Sequence, residues 1–202
     1  MSSRLIVSLT LAIALLGALV QPVLAQAQPP AKPAVLQAAG SEIAFTTRQM
    51  GVPVEGKFGK FTAQVVLDPK KPETGSVAFT IDTGSARFGS AELDAEVPKA
   101  TWLNVPKFPQ ASFQSTAIKA AGPGKFEVTG KLTIKGATQN VVVPVQVVQA
   151  GPGPAATSTA TGSFAIKRLA YKVGDGDWTD TSLLADEVQI RFKLVLTGLP
   201  PL

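Results

Sequence analysis

The side chains that most often serve as nucleophile, base or soft-metal ligand near neutral pH are cysteine and histidine, and this sequence has neither. Their absence removes thiol nucleophiles, Ser-His-Asp triads, imidazole bases, Cys/His zinc sites and disulfides together. What remains is carboxylate chemistry. Asp175, Asp177, Asp180, Asp186 and Glu187 cluster in and after a Gly-rich stretch that reads GDGDWTD from Gly174 to Asp180. Oxygen ligands at such spacing could hold calcium, but an EF-hand loop needs acids at alternating positions and a distal Glu, and the order here differs. A glycosidase would need two carboxyls flanking a polar sugar cleft, and a single loop supplies one side of that. Asp and Gly are favoured in turns for backbone reasons, so the cluster is read as a hairpin-like turn. Gly51 to Lys57 fits the first seven positions of a phosphate-binding loop. Phe58 then stands where Ser or Thr is required, Pro53 and Glu55 sit inside, and a strand rather than a helix continues, so this too is read as a turn. No nucleophile–base pair can be assembled, and the expectation is a protein that is not an enzyme, with no metal and no cofactor.

The elements that position the side chains are mostly strands. The chain has 202 residues, 45% hydrophobic and 16% charged, enough for one domain plus appendages. From Ser41 onward apolar and polar residues alternate with period two between Gly and Pro breaks, the pattern of antiparallel strands with one buried face. Val188, Ile190, Phe192, Leu194 and Leu196 alternate with Gln189, Arg191, Lys193 and Val195. Eight strands are expected, near residues 41–47, 57–67, 76–83, 111–119, 125–134, 140–149, 157–167 and 187–197. The run from Val141 to Val148 is apolar on both faces and is read as buried on both. Strands of ten or eleven residues such as 125–134 and 187–197 favour a tall eight-stranded antiparallel barrel, all-β and lipocalin-like in outline, over a compact sandwich. Such a barrel is just wide enough to hold one small ligand or to be filled by its own side chains. One stretch departs from the pattern: Ser90 is a helix cap, Glu92 and Asp94 fall in the first turn, and Pro98 stops the helix, placing a short helical segment and a further turn across one barrel opening.

The inward set is then Phe45, Phe61, Phe79, Ile81, Phe113, Phe126, Leu132, Phe164, Ile166 and Phe192, with Trp102 and Phe108 from the irregular segment plugging one end or lining a portal. Each residue alone reads first as packed core. Together, ten phenylalanines against one tyrosine offer aromatic area almost without hydrogen-bonding handles, a lining suited to an apolar chain.

Residues 1–25 read as a signal peptide: Arg4 supplies the positive start, Leu5 to Val20 the apolar run, and Val23-Leu24-Ala25 the cleavage site. Export to the periplasm, or secretion, follows, with cleavage near Ala25. Residues 26–40, rich in Ala, Pro and Gln, are read as a disordered spacer, and 41–202 as the barrel domain. The net charge of +5 comes from 19 basic and 14 acidic residues. The basic residues are scattered and aromatics are few, which argues against nucleic acid and leaves transient contact with an anionic membrane surface as the use of the excess charge.

Four segments carry a resemblance. Pro53 to Phe61 (PVEGKFGKF) is similar to the opening motif of the YceI-like family, Asp94 to Thr116 (DAEVPKATWLNVPKFPQASFQST) to its central signature, and Gly130 to Gly136 (GKLTIKG) to its third motif. Trp178-Thr179-Asp180-Thr181 followed by Asp186-Glu187-Val188 resembles the family's close. The resemblance implies a periplasmic lipocalin-like barrel that binds a polyisoprenoid or similar lipid chain without catalysis, as a monomer or homodimer. Glu96 stands where many members carry His, Trp102-Leu103 replaces a Phe-Phe pair, and Asn104 replaces Asp.

Overall fold

The computed structural model describes residues 32–151 and 156–202. The expected signal peptide, and the expected spacer as far as Ala31, lie outside these residues. Ten strands form one antiparallel sheet: β1 Val35–Gln49, β2 Val52–Phe58, β3 Phe61–Val66, β4 Ser76–Asp82, β5 Ala86–Arg87, β6 Gln110–Gly122, β7 Lys125–Ile134, β8 Ala137–Ala150, β9 Thr157–Lys167 and β10 Glu187–Thr197. Their order across the sheet is β3-β4-β6-β7-β8-β9-β10-β1-β2-β5. The sheet curls on itself into a half-barrel. Its margins approach each other where Ala34 N–H donates to the Val65 carbonyl at 2.7 Å, an isolated bridge between the lead-in of β1 and the end of β3.

Ten strands replace the eight expected. The segment read as a turn at Gly51–Lys57 is itself a strand, because a tight two-residue turn at Met50 and Gly51, both at positive φ, folds β2 back along β1. Pro53 is tolerated there because β2 meets its other neighbour, β5, at Lys57 and Phe58 alone. The expected strand 57–67 therefore breaks at Gly59–Lys60 into the end of β2 and the start of β3. The sheet also begins earlier than expected: β1 starts at Val35, so residues 35–40 belong to the sheet and not to a spacer. A bulge between Gln37 and Glu42 lets it do so, with Gly40 at φ +82 and the Ser41 hydroxyl donating to Gln37 O while accepting from Val195 N–H.

The valine run in β8 is buried on one face, not two. Val143 and Val147 face inward, while Val142 and Val148 are 50% and 59% exposed. The side chains of a strand alternate whatever their chemistry, and among the described residues nothing packs over the outer face here. The short helix α1, Ala91–Glu96, forms as expected, with the Ser90 hydroxyl accepting from Leu93 N–H at 3.5 Å. Turns from Val97 to Phe108 follow it.

The two ends of the barrel differ. The β1–β2 and β7–β8 turns, α1 with its following turns, and the β9–β10 connection gather at one end. The β3–β4 and β6–β7 connections, the end of β8 and the start of β9 gather at the other, with the first and last described residues of the domain.

Candidate functional site

A cavity of about 590 Å³ runs inside the curled sheet. Its volume falls in the range of ordinary small-molecule sites. At the end away from α1 it is closed by buried aliphatics, Leu67, Ile118, Leu196 and Leu199 among them. At the α1 end the lining includes exposed Glu92 and half-buried Gln49, Leu93 and Val97, so the mouth lies there. The inward Phe79, Phe113, Phe164 and Phe192 are only partly buried although they point into the barrel. The surface they keep faces the cavity, which marks a hollow interior rather than one filled to packing density.

Of the residues singled out in the sequence, Phe45, Phe79, Ile81, Trp102 and Phe113 lie along this wall, as do Phe126, Leu132, Phe164, Ile166 and Phe192. Two do not. Phe61 stacks on Phe79, ring centroids 5.8 Å apart, and borders a separate polar cleft between β1 and β3. It occupies the sheet margin, where alternation does not distinguish a barrel interior from a seam. Phe108 packs against Gly136 in the β7–β8 turn, with the Lys107 ammonium 5.5 Å from its ring centre. A glycine at φ +75 leaves room for that ring, and the neighbourhood of two distant turns was not legible from spacing.

Several wall phenylalanines depend on a glycine across the sheet. Phe45 pairs with Gly56 in the β1–β2 register and Phe192 with Gly162 in the β9–β10 register. Gly130 on β7 lies beneath the Phe113 ring of β6. A Cβ at any of the three would run into the ring. The missing side chain lets the ring lie down over the backbone instead of standing across the cavity, which keeps the interior open.

Beside Trp102, the mouth is built from side chains that sequence reading missed. Arg168, 3% exposed, follows β9 and spends its guanidinium on backbone carbonyls. Nε donates to Ala185 O at 3.0 Å, one terminal nitrogen to Val173 O and Gly174 O at 2.9 and 3.3 Å, and the other to Trp178 O and Leu184 O at 2.5 and 2.7 Å. Burial pulls its pKa below the usual value and nearby Asp186 opposes that. The Lys135 ammonium ties the β7–β8 turn to Thr101 O and Lys172 O at 3.0 and 2.7 Å, and burial lowers its pKa in the same way. Trp102 and Trp178 meet with ring centroids 5.1 Å apart. No signal in a lone arginine or lysine could have foretold these roles.

The acidic cluster is spent locally. Asp180 accepts from Ser182 N–H and its hydroxyl at 2.8 and 2.7 Å, which holds its carboxyl below the usual range. Asp186 accepts from Leu169 N–H at 3.0 Å, and Glu187 pairs with Lys167 at 3.4 Å. Among the described residues no three acidic side chains converge as a metal site would require.

Residues 35–196, nearly the whole described domain, match the family model of the YceI-like domain. The chain belongs to the YceI-like family. A UPF0312 protein of Azotobacter vinelandii is 35% identical to this YceI-like protein over 99 residues, 49% of this chain and 52% of that one, so the chain spans about half the length of that curated relative. The crystal structure of Burkholderia cenocepacia BcnA is similar at 47% identity and a TM-score of 0.74, over 79% of this chain and 98% of BcnA. A polyisoprenoid-binding domain from Saccharophagus degradans shares the fold, with a TM-score of 0.64 at 13% identity over 83% of this chain and 99% of that one.

Proposed function

We propose that this YceI-like protein binds one long apolar lipid, with an isoprenoid or quinone-like chain, inside its barrel, and shields or carries it without catalysing a reaction. The observation that carries this reading is the cavity of about 590 Å³ with an apolar wall, closed at one end and open at the other. Burial of each methylene contributes about 0.8 kcal/mol before the cost of ordering the chain, so a dozen or so suffice without polar contacts. The polyisoprenoid-binding domain of the same fold supports the choice of ligand. The signal-like first 25 residues support export to the periplasm, where such a chain would need shielding from water between membranes.

Mass spectrometry of the mature protein from its own host, native and then after organic extraction, tests the reading. A stoichiometric apolar mass is expected, and a clean unliganded mass that persists after incubation with prenyl lipids would overturn it. Replacement of Phe79, a half-buried wall residue, by Asp is expected to abolish lipid retention. Circular dichroism separates that from unfolding, and a folded Phe79→Asp protein that keeps its lipid would count against this wall.

A further inference from the structure

Three large apolar side chains stand exposed beside the mouth of the cavity: Met50 at 70%, Val52 at 64%, and Leu183. Backbone bonding holds them together. Met50 N–H donates to Leu183 O at 2.8 Å, and Gln49 bridges to Leu184 next to it. Gln49 and Leu184 both line the cavity, so Met50 and Leu183 each adjoin a wall residue in the chain. Val52 pairs with Gln49 in the β1–β2 register and continues the inward row of Phe58 and Val54 past the rim.

Met50 is an unusual residue for its position. It and Gly51 hold φ +48 and +81 in a two-residue hairpin turn, whose first place ordinarily goes to Asn, Asp or Gly. The matching turn between β7 and β8 has Lys135 there, also at φ +48, and its ammonium ties that turn to Thr101 O and Lys172 O. The Met50 side chain has no comparable tie and stands in solvent. A left-handed backbone thus carries a large apolar group to the outermost point of the hairpin, with no packing among the described residues to offset the strain.

Size and charge decide what could cover these side chains. Three of this kind expose a few hundred Å², well short of the about 800 Å² per partner of a stable protein interface. Charge complementarity is slight as well, because residues 48–53 and 180–184 carry one cation, Arg48, and one anion, Asp180. A small, nearly neutral apolar prominence suits the headgroup–acyl boundary of a bilayer, where such side chains insert while a neighbouring arginine reaches back to the headgroups. The other large apolar residues that are exposed, Val35, Val142, Val148 and Leu202, lie on outer strand faces or toward the closed end. Apolar exposure and access to the cavity coincide at the mouth.

We propose that this tip docks the protein on a lipid bilayer, with Met50, Val52 and Leu183 entering the interface so that the mouth opens toward the membrane and the lipid passes between bilayer and barrel without crossing water. The proposal rests on the lipid-binding reading above and adds to it the surface through which the cargo is exchanged.

The test uses the mature protein, phosphatidylcholine vesicles with and without phosphatidylglycerol, and radiolabelled squalene as cargo. Co-flotation with vesicles reads docking, uptake from donor vesicles reads transfer, and squalene retained after the vesicles are removed reads binding in the barrel. The protein is expected to float with both kinds of vesicle, and its uptake rate to rise with vesicle concentration. Met50→Asn suits the turn better than methionine does, so the empty protein should be as stable thermally or more so, yet associate with vesicles about fivefold more weakly. Adding Val52→Thr and Leu183→Ser should deepen that loss to about tenfold or more, in docking and in uptake rate, with the same final squalene load. Docking and uptake unchanged in the triple variant would overturn the tip, as would flotation with the anionic vesicles alone that salt abolishes, which is binding by charge. A protein that self-associates in solution, and ceases to in the triple variant, would reassign the tip to a protein interface and also overturn it. Protein that floats but retains no squalene would overturn the lipid-binding reading, and the transfer role with it, while the contact with the bilayer stands.

Discussion

Arg168 carries a full charge into the wall of an otherwise apolar barrel, and its environment explains why it stays there. Five carbonyl oxygens from Val173, Gly174, Trp178, Leu184 and Ala185 surround its planar fork, so one side chain pins the long β9–β10 connection along most of its length. A lysine keeps the charge but has three donors on a single point and cannot span the same set. Arg168→Lys is expected to destabilise the protein by about 3 kcal/mol, read from the midpoint of a denaturant titration. A shift under about 0.5 kcal/mol, the size typical of an inert surface change, would show that the loop is held by other contacts. At this same scale the glycines beneath Phe113 and Phe192 were legible as strand residues but not as seats for rings, and Gly56 beneath Phe45 was read as part of a turn. Their role depends on which residue of another strand lies opposite, and alternation within one strand says nothing of cross-strand register.

The helix is the element that covers the mouth, and its local signals were clear: Ser90 ahead of the first turn, acids at Glu92 and Asp94, and Pro98 beyond its end. What the sequence did not show is that Asp94 turns back to accept from Phe88 N–H at 2.7 Å, locking the helix to the strand end before it. Leu93 on this element, Val97 just past its end and Phe88 before it all line the cavity. Asp94→Ala should loosen this cover and speed lipid exchange by up to about tenfold, since one hydrogen bond to a carboxylate contributes about 1.5 kcal/mol. Stopped-flow transfer of a prenyl lipid to vesicles measures it, and an unchanged rate would mean that the ligand enters elsewhere. The β2 strand shows the opposite case. Its Pro and Gly residues and its likeness to a phosphate loop concealed an alternation of Val54, Gly56 and Phe58 toward the interior, which tertiary pairing with β1 was needed to reveal.

For the molecule as a whole, the decisive property is that the barrel is hollow. A larger side chain at a wall position with free volume should be accommodated, whereas overpacking a filled core costs about 1–3 kcal/mol. Val145 on β8 is half-buried and faces the cavity. Val145→Phe is expected to leave thermal stability equal or higher and to reduce lipid uptake by the loss of cavity volume, measured by thermal unfolding and by extraction of bound lipid. A loss of about 2 kcal/mol or more would show an interior that is already filled.

The sequence alone determined the chemistry that is out of reach, through the missing cysteine and histidine, and the class of the fold, through period-two alternation in long strands. It determined most of the inward residues too, because the two faces of a strand follow from backbone geometry and need no partner. The tertiary structure decided whether those residues fill the barrel or leave it open. It also moved Phe61 and Phe108 off the wall, and set Arg168 and Trp102 together at one end. Each of these outcomes depends on distances between segments far apart in the chain, and local patterns of hydrophobicity carry no record of such distances.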